Sequence, residues 1–214
     1  MADGFWEERV LDTSDSLRMI IMYRKLSLIV VVVCTLFFCG MTQAAGLDVT
    51  APGDTVQGIP NDGDWLGNET PPLAIDNNVN TKYLHFKGDF NPDPGTGGAG
   101  LRVTPSIKQT IVNGLTFTTA NDAAPRDPVA FELSGSNVSI DGPYTLIARG
   151  EIVDFKQTTA WPRLTINQTP ISFDNAVAYD YYQLIFTAIR GPVGGSVNSM
   201  QIAEVELIGV SANR

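Results

Sequence analysis

The chain has little of what most catalytic and nucleic-acid-binding sites need. It contains one His and two Cys in 214 residues, and 14 Lys and Arg against 23 Asp and Glu. A nucleic-acid surface needs a basic face, so the acidic balance argues against one. A zinc site needs more His or Cys ligands than this chain has. A serine nucleophile would have only one His as its base, and no Gly-x-Ser-x-Gly sequence accompanies it.

The N-terminal part of the chain has the pattern of a secretory signal. Residues 22–25 include an Arg and a Lys, Leu26–Phe38 is an uninterrupted apolar run, and small residues follow. This order predicts a signal peptide over residues 22–45, cleaved after Ala44 or Ala45. The run is shorter than the roughly 20 residues that span a bilayer, and an uncleaved anchor is the alternative.

Removal of this signal leaves one domain without cysteine. Cys34 and Cys39 both lie in the signal, so the mature chain would have no thiol and no disulfide. Residues 1–21 precede the signal as an acidic extension. They are either a non-native addition ahead of a true start at Met22 or the cytoplasmic tail of an anchor. The remaining residues, 46–210, are predicted to form a single secreted or cell-envelope domain.

Short apolar segments recur in this domain between Gly, Pro, Asn and Asp residues, and no segment has a sustained helical period. Such spacing is typical of antiparallel sandwiches and jelly rolls. A long Gly-, Pro- and Asp-rich loop is predicted over Gly88–Gly100. The predicted strands are Gly114–Thr119, Val129–Ser134, Tyr144–Ala148, Tyr181–Ile189 and Ile202–Gly209.

A family resemblance follows from the order of these segments. Leu73–Tyr83 (LAIDNNVNTKY) resembles the A-x-D-G-x-x-x-T-x-W signature of discoidin domains, the coagulation factor 5/8 type C domains. These belong to the galactose-binding-like sandwiches, which include the family 32 carbohydrate-binding modules. The family's later strands resemble Phe131–Ser136, Gly142–Ala148, Tyr181–Phe186 and Ile202–Leu207 in the same order. The resemblance implies an all-β, antiparallel β-sandwich over residues 47–209.

The chain departs from the family signature at three places. Asn77 stands where the family has Gly, and Asn tolerates a left-handed backbone better than other non-glycine residues do. Tyr83 replaces the signature Trp. Galactose-binding relatives have a His directly after that aromatic residue, whereas here Leu84 follows and His85 comes one position later. This shift puts a galactose pocket in doubt.

The resemblance also implies a structural calcium ion between the signature and the closing strand. Hard cations bind several oxygen ligands, which short Asp-, Asn- and Thr-rich loops supply. The alternatives are a bound sodium ion, or no ion, with Asp76 capping a turn and Glu204 on a solvated strand. The implied ligands are the Asp76 carboxylate, the Asn78 carbonyl, the Thr81 hydroxyl and carbonyl, the Ala203 carbonyl and the Glu204 carboxylate.

Residues for binding a sugar are sought among aromatic and planar polar side chains in probable loops. Aromatic faces stack on the C–H surfaces of sugars, and planar polar groups bond the hydroxyls. The competing interpretation is structural: His85 as a half-buried strand residue, and each tryptophan as loop packing. The candidates are Trp65, His85, Lys87, Arg126 and Trp161.

These observations favour a secreted, non-catalytic module that binds extracellular or cell-surface carbohydrate and is stabilised by calcium. The alternative is a structural or adhesive scaffold domain of the cell envelope that binds a cell-surface protein. Asp and Glu are numerous enough to supply a glycosidase pair, but a chain this small has no large insertions to form a cleft. We therefore predict that the protein is not an enzyme.

Overall fold

The computed structural model describes residues 46–86, 98–191, 197 and 199–212. The extension 1–21, the signal 22–45, the candidate Lys87 and residues 88–97 of the predicted loop Gly88–Gly100 lie outside the described residues. The last two residues of that predicted loop, Ala99 and Gly100, belong to a strand instead, because both pair with one neighbouring strand and Gly100 also pairs with a second. Within the described part of the chain, no helix is long and apolar enough to cross a bilayer.

Short strands dominate the described residues. They are β1 (Leu47–Asp48), β2 (Thr55–Ile59), β3 (Tyr83–His85), β4 (Ala99–Thr104), β5 (Thr110–Thr118), β6 (Pro128–Ser136), β7 (Thr145–Glu151), β8 (Ile171–Ser172), β9 (Tyr181–Ile189), β10 (Met200–Ile202) and β11 (Glu204–Ser211). One short helix, α1 (Val153–Lys156), and 3-10 turns at Pro71–Ala74 and Ala124–Arg126 complete the elements seen there.

The strands form an antiparallel sandwich, which confirms the predicted fold class. One sheet has the order β2-β4-β9-β6-β7, a second has β1-β11-β5-β8, and β10 pairs with β3 alone. Alternate residues of each strand point between the sheets, where Phe117 of β5 meets Phe131 of β6 and Phe186 of β9. The ring centroids of Phe117 and these two partners lie 5.9 and 5.7 Å apart, respectively.

The closing strand is the one strand prediction that the structure corrects. The apolar run Ile202–Gly209 is predicted as continuous, but β10 ends at Ile202 and β11 begins at Glu204. Between them Ala203 is fully buried, and its N–H donates to the Thr118 carbonyl at 3.0 Å. The chain changes sheets at this residue, a change that a uniform apolar pattern does not reveal. The bend sets Glu204 beside the end of β5.

The strand registers define two ends of the sandwich. At one end, here called the loop end, β2 finishes opposite the start of β4, and β6 begins opposite the last residue of β9. At the other, the opposite end, Thr55 pairs with Thr104, and Ser136 pairs with Tyr181. The first strand, β1, pairs with Ile208 and Gly209 of β11 near this opposite end.

Candidate functional site

The signature loop, residues 76–81, folds around its own polar side chains. The Asp76 carboxylate accepts the Asn78 N–H at 3.0 Å and the Thr81 hydroxyl at 2.8 and 2.9 Å. The Thr81 hydroxyl also lies 2.7 Å from the Asn78 carbonyl oxygen. Asn77 has a φ of 59°, so it adopts the left-handed conformation predicted for the position where the family has glycine.

The carboxylate of Glu204 reaches this loop from the start of β11. It accepts the Asn78 N–H at 2.8 Å and the Asn77 N–H at 3.3 Å. The Asn78 amide is therefore shared between Asp76 and Glu204, and the two carboxylates lie side by side. Glu204 is only 4% exposed, and its burial, together with the adjacent Asp76 carboxyl, raises its pKa to about 8.

The donor set of this loop fits a hard cation. The Asp76 carboxylate, the Thr81 hydroxyl and the Asn78 carbonyl place oxygens 2.7 to 2.9 Å apart, close enough to be neighbouring ligands of one ion. Calcium takes six to eight such oxygens from carboxylates, carbonyls and water. No group of three or more His, Cys, Asp or Glu side chains that could hold a metal occurs among the described residues. The carboxylates that the contacts bring together here are those of Asp76 and Glu204.

Trp65 and His85 belong to an aromatic cluster at the loop end. Trp65 meets Tyr83 edge to face at a centroid distance of 6.2 Å and His85 at 5.8 Å. The Trp65 ring packs on β2 at Gly58, where an added Cβ would lie 2.7 Å from the ring. Trp65 remains partly exposed while it packs against the core.

His85 is a fully buried member of this cluster. It has no exposed surface, and its Nε2 lies 3.1 Å from the Pro60 carbonyl oxygen and 3.2 Å from the Asp62 carboxylate. This burial favours the structural interpretation of His85 over a sugar contact: its ring packs against Trp65 and has no surface exposed to a ligand. All three residues of β3 are buried. A strand of three residues is too short for its sequence pattern to predict this.

The loops that carry Arg126 and Trp161 are held together by an ion pair between Arg163 and Asp127. Arg163 makes two hydrogen bonds to the fully buried Asp127 carboxylate, one of them at 2.8 Å. The same guanidinium donates to the Trp161 carbonyl at 3.0 Å. Trp161 is partly exposed, and its indole N–H donates to the Ile166 carbonyl at 3.2 Å. Arg126 is half-buried in the adjacent 3-10 turn.

Lys82 joins the signature loop to the Arg126 loop. Its ammonium lies 2.8 Å from the Asp122 carboxylate, 3.5 Å from Glu69 and 3.3 Å from the Gln201 side-chain oxygen. Burial alone would raise the pKa of Asp122, but the hydrogen bond and charge of Lys82 lower it. Lys82 is only 8% exposed. Its role was missed by the sequence analysis, whose only available signal was a Lys directly before the signature aromatic.

The structure thus brings the candidates to one end in two groups. Trp65 and His85 follow the end of β2, whereas Arg126 and Trp161 lie on loops next to the start of β6 and after β7. The Lys82–Asp122 ion pair links the two groups.

The strands form the same sandwich fold as the family 32 carbohydrate-binding modules, which confirms the resemblance at the level of the fold. No protein-family model matches the sequence, and no curated protein matches it either.

Solved structures do match. A family 32 module of a family 31 glycoside hydrolase from Clostridium perfringens is 12% identical with a TM-score of 0.55, covering 81% of this chain and all of that one. Two family 32 domains of Clostridium perfringens ZmpB, in complex with GalNAc, are 17% identical with a TM-score of 0.55, covering 79% of this chain and 37% of that one. An F5/8 type C domain from Bacteroides fragilis is 11% identical with a TM-score of 0.49, covering 78% and 97%.

Proposed function

We propose that the protein is a non-catalytic module that binds extracellular or cell-surface carbohydrate through the loop end of its sandwich. Trp65, Arg126 and Trp161 would contact the sugar, with His85 supporting Trp65. The observation that carries this proposal is that two partly exposed tryptophans and a half-buried arginine lie on loops at one end of the sandwich. A solved structure with the same fold holds GalNAc.

The chemistry of these side chains supports the choice of ligand class. Tryptophan offers a large apolar face with a polar edge, and arginine offers a planar set of donors for hydroxyl groups. Sugars present both an apolar C–H face and hydroxyls. A few loop side chains give weak binding, so such a module acts in avidity or as an anchor.

Calcium belongs to this proposal as a structural ion. Asp76, Asn78, Thr81, Ala203 and Glu204 would hold it. Asp76, Asn78, Thr81 and Glu204 are already joined by hydrogen bonds where the signature loop approaches the start of β11, and Ala203 directly precedes Glu204 in the chain. The ion would neutralise two adjacent carboxylates and tie an early loop to the last strand of a domain without cysteine. The pattern over residues 22–45 supports secretion to the cell envelope or the medium.

A glycan array probed with the protein, with and without a calcium chelator, tests the function. We expect binding to a subset of glycans, weakened about tenfold or more by Arg126→Ala or Trp161→Ala. Arg149→Ala is the matched control, because Arg149 is an exposed arginine of β7 outside the loop end. Its binding should equal that of the unmodified protein.

The outcomes separate the alternatives. An array with no bound glycan in either condition favours a cell-envelope scaffold that binds protein. Glycan binding that is unchanged by the chelator would show that calcium does not take part in binding the sugar. Equal losses for Arg126→Ala and Arg149→Ala would contradict the loop-end site.

A further inference from the structure

The opposite end of the sandwich carries a polar pocket of about 450 Å³. Small-molecule sites commonly have volumes of roughly 300–1,000 Å³, so this pocket is large enough for one. Its floor is the outward face of the five-stranded sheet, where Thr55 pairs with Thr104. Tyr181 also lines the pocket; Val103 and Tyr182, the neighbours of Thr104 and Tyr181 along their strands, pair with each other. The loops before β2 and after β4 supply its walls.

The walls are fixed by Asp54. This carboxylate is 7% exposed and accepts the Ala51 N–H and the Ser106 N–H, both at 2.9 Å. One side chain therefore fastens the two wall loops to each other. Asp180, at the pocket's third side, is held by its own N–H, which donates to the Asn137 side chain at 2.9 Å. A pocket built on strands and fastened loops needs little ordering when a ligand binds.

The backbone of the pocket is also strained at one residue. Lys108, in the wall, has a φ of 71°. Non-glycine residues in this conformation cluster at functional sites because the surrounding structure must hold them there. Among the described residues, the other non-glycine residues with positive φ are Asn77, Ala123 and Leu164, all in loops of the loop end.

We propose that this pocket is a second carbohydrate site, which binds one neutral hexose unit. The Tyr181 ring offers an apolar face with a polar edge, the Asp180 carboxylate accepts from hydroxyls, and the Lys108 ammonium donates to them. Thr55 and Thr104 hydroxyls both donate and accept on the floor. A sugar ring, with an apolar face and hydroxyls of both capacities, matches this set.

The charges argue against other small ligands. The carboxylates of Asp54 and Asp180 repel a phosphate or a carboxylate ligand. The Lys108 ammonium opposes a divalent cation, and the Asp54 oxygens already take two backbone amides. Neither the carboxylates nor the ammonium repels a neutral hexose, and both can form hydrogen bonds with its hydroxyls. This site does not depend on the proposed loop-end site.

The test uses the full chain and two free sugars, D-galactose and D-glucose, titrated separately by calorimetry and by saturation-transfer NMR. The loop end is first disabled with the double variant Arg126→Ala, Trp161→Ala. We expect this double variant still to bind at least one of the two hexoses at millimolar concentration. Adding Tyr181→Ala should weaken that binding by about tenfold or more, and Asp180→Asn should also weaken it.

Tyr181→Phe is the matched control, because it keeps the ring and should retain affinity. Thermal unfolding of each variant shows that the fold persists, which the partly exposed position of Tyr181 on the outer face favours. A double variant that binds neither hexose overturns the second site and leaves the proposed loop-end function standing if the unmodified chain binds. Binding that Tyr181→Ala alone abolishes supports the second site and contradicts the loop-end function.

Discussion

The two ends of the sandwich hold their loops by different kinds of contact. At the loop end, ion pairs join residues far apart in sequence: Lys82 with Asp122, and Arg163 with Asp127. At the opposite end, one carboxylate, that of Asp54, takes backbone amides from two loops. A buried ion pair depends on both partners, since loss of one leaves an uncompensated charge, whereas a carboxylate on backbone amides depends on one side chain.

The largest expected effect is the loss of Arg163. Asp127 has no exposed surface, and Arg163→Ala would leave its buried carboxylate without its main cation. We expect the free energy of unfolding to fall by about 3–5 kcal/mol, the usual cost of breaking a buried pair. Equilibrium urea denaturation measures it.

A double variant separates the pair from the packing around it. Arg163→Met with Asp127→Leu removes both charges, and it should recover most of the stability that Arg163→Ala loses. A cost for Arg163→Ala within the range of a surface pair, about 0–1 kcal/mol, would show that the loop end does not rest on this ion pair.

Calcium should stabilise the loop end and leave the opposite end unaffected. A ligand that binds only the folded state at 100 times its Kd adds about 2.7 kcal/mol to the free energy of unfolding. We expect a calcium-dependent rise in Tm that Glu204→Gln abolishes. The pKa of Glu204 is raised to about 8, so the ion would bind its carboxylate by displacing a proton, whereas Gln cannot form a carboxylate. Differential scanning calorimetry with calcium or chelator measures the rise.

Glu206→Gln is the control for that experiment. Glu206 lies two residues along β11 and accepts the Thr116 hydroxyl at 2.6 Å, away from the signature loop. Its variant should keep the full response to calcium. An unmodified protein whose Tm is the same with calcium and with chelator would contradict the proposed ion.

The sequence predicted the sandwich because strand alternation and turn residues are local signals. Apolar and polar residues alternate along β5 and β6, and their predicted segments coincide with observed strands. The change of sheet at Ala203 was not predictable, since its cause is a hydrogen bond to Thr118 on another strand. A local pattern records that residues are apolar, not which sheet they join.

The candidate site, like the fold, was predictable only where a local sequence motif marks its residues. The signature motifs named Asp76 and Glu204, which the fold brings onto one amide from 128 positions apart. Lys82 and Arg163 were missed because their partners lie 40 and 36 positions away, with no motif to connect them. His85 was expected near a rim, but the burial of a short strand depends on what covers it.

A smaller effect is expected at the opposite end. Asp54→Ala removes the acceptor of two backbone amides, in a place where water reaches only part of the side chain. We expect a loss of about 2 kcal/mol, smaller than for Arg163→Ala, because no charge is left without a partner. Asp54→Asn keeps one acceptor oxygen and should lose less. A loss as large as that of Arg163→Ala would abolish the distinction between the two ends.

The smallest effect concerns backbone strain, which occurs at both ends. Ala123 at the loop end has a φ of 39°, and Lys108 at the opposite end has a φ of 71°. The left-handed conformation costs a non-glycine residue about 1–2 kcal/mol in the folded state. Substitution by glycine removes this cost, but the greater freedom of glycine in the unfolded chain lowers stability by about 0.5–1 kcal/mol. We therefore expect Ala123→Gly and Lys108→Gly each to raise the free energy of unfolding by up to about 1 kcal/mol.

The control for strain is Ala188→Gly in strand β9, where no left-handed conformation is present and glycine only adds unfolded-state entropy. Its free energy of unfolding should fall, in the opposite direction to the two turn variants. If Ala123→Gly also destabilises the protein, then other losses outweigh the relief of strain. Glycine keeps the Ala123 carbonyl, which accepts the Arg126 N–H and the Gln201 side chain, so such a result would assign the loss to the missing methyl group and to the greater freedom of glycine in the unfolded chain. The Lys108 N–H donates to the Pro105 carbonyl at 3.0 Å, a backbone bond that glycine also keeps. If Lys108→Gly stabilises the protein while Ala123→Gly does not, the two ends differ in backbone strain as well as in the contacts that hold their loops.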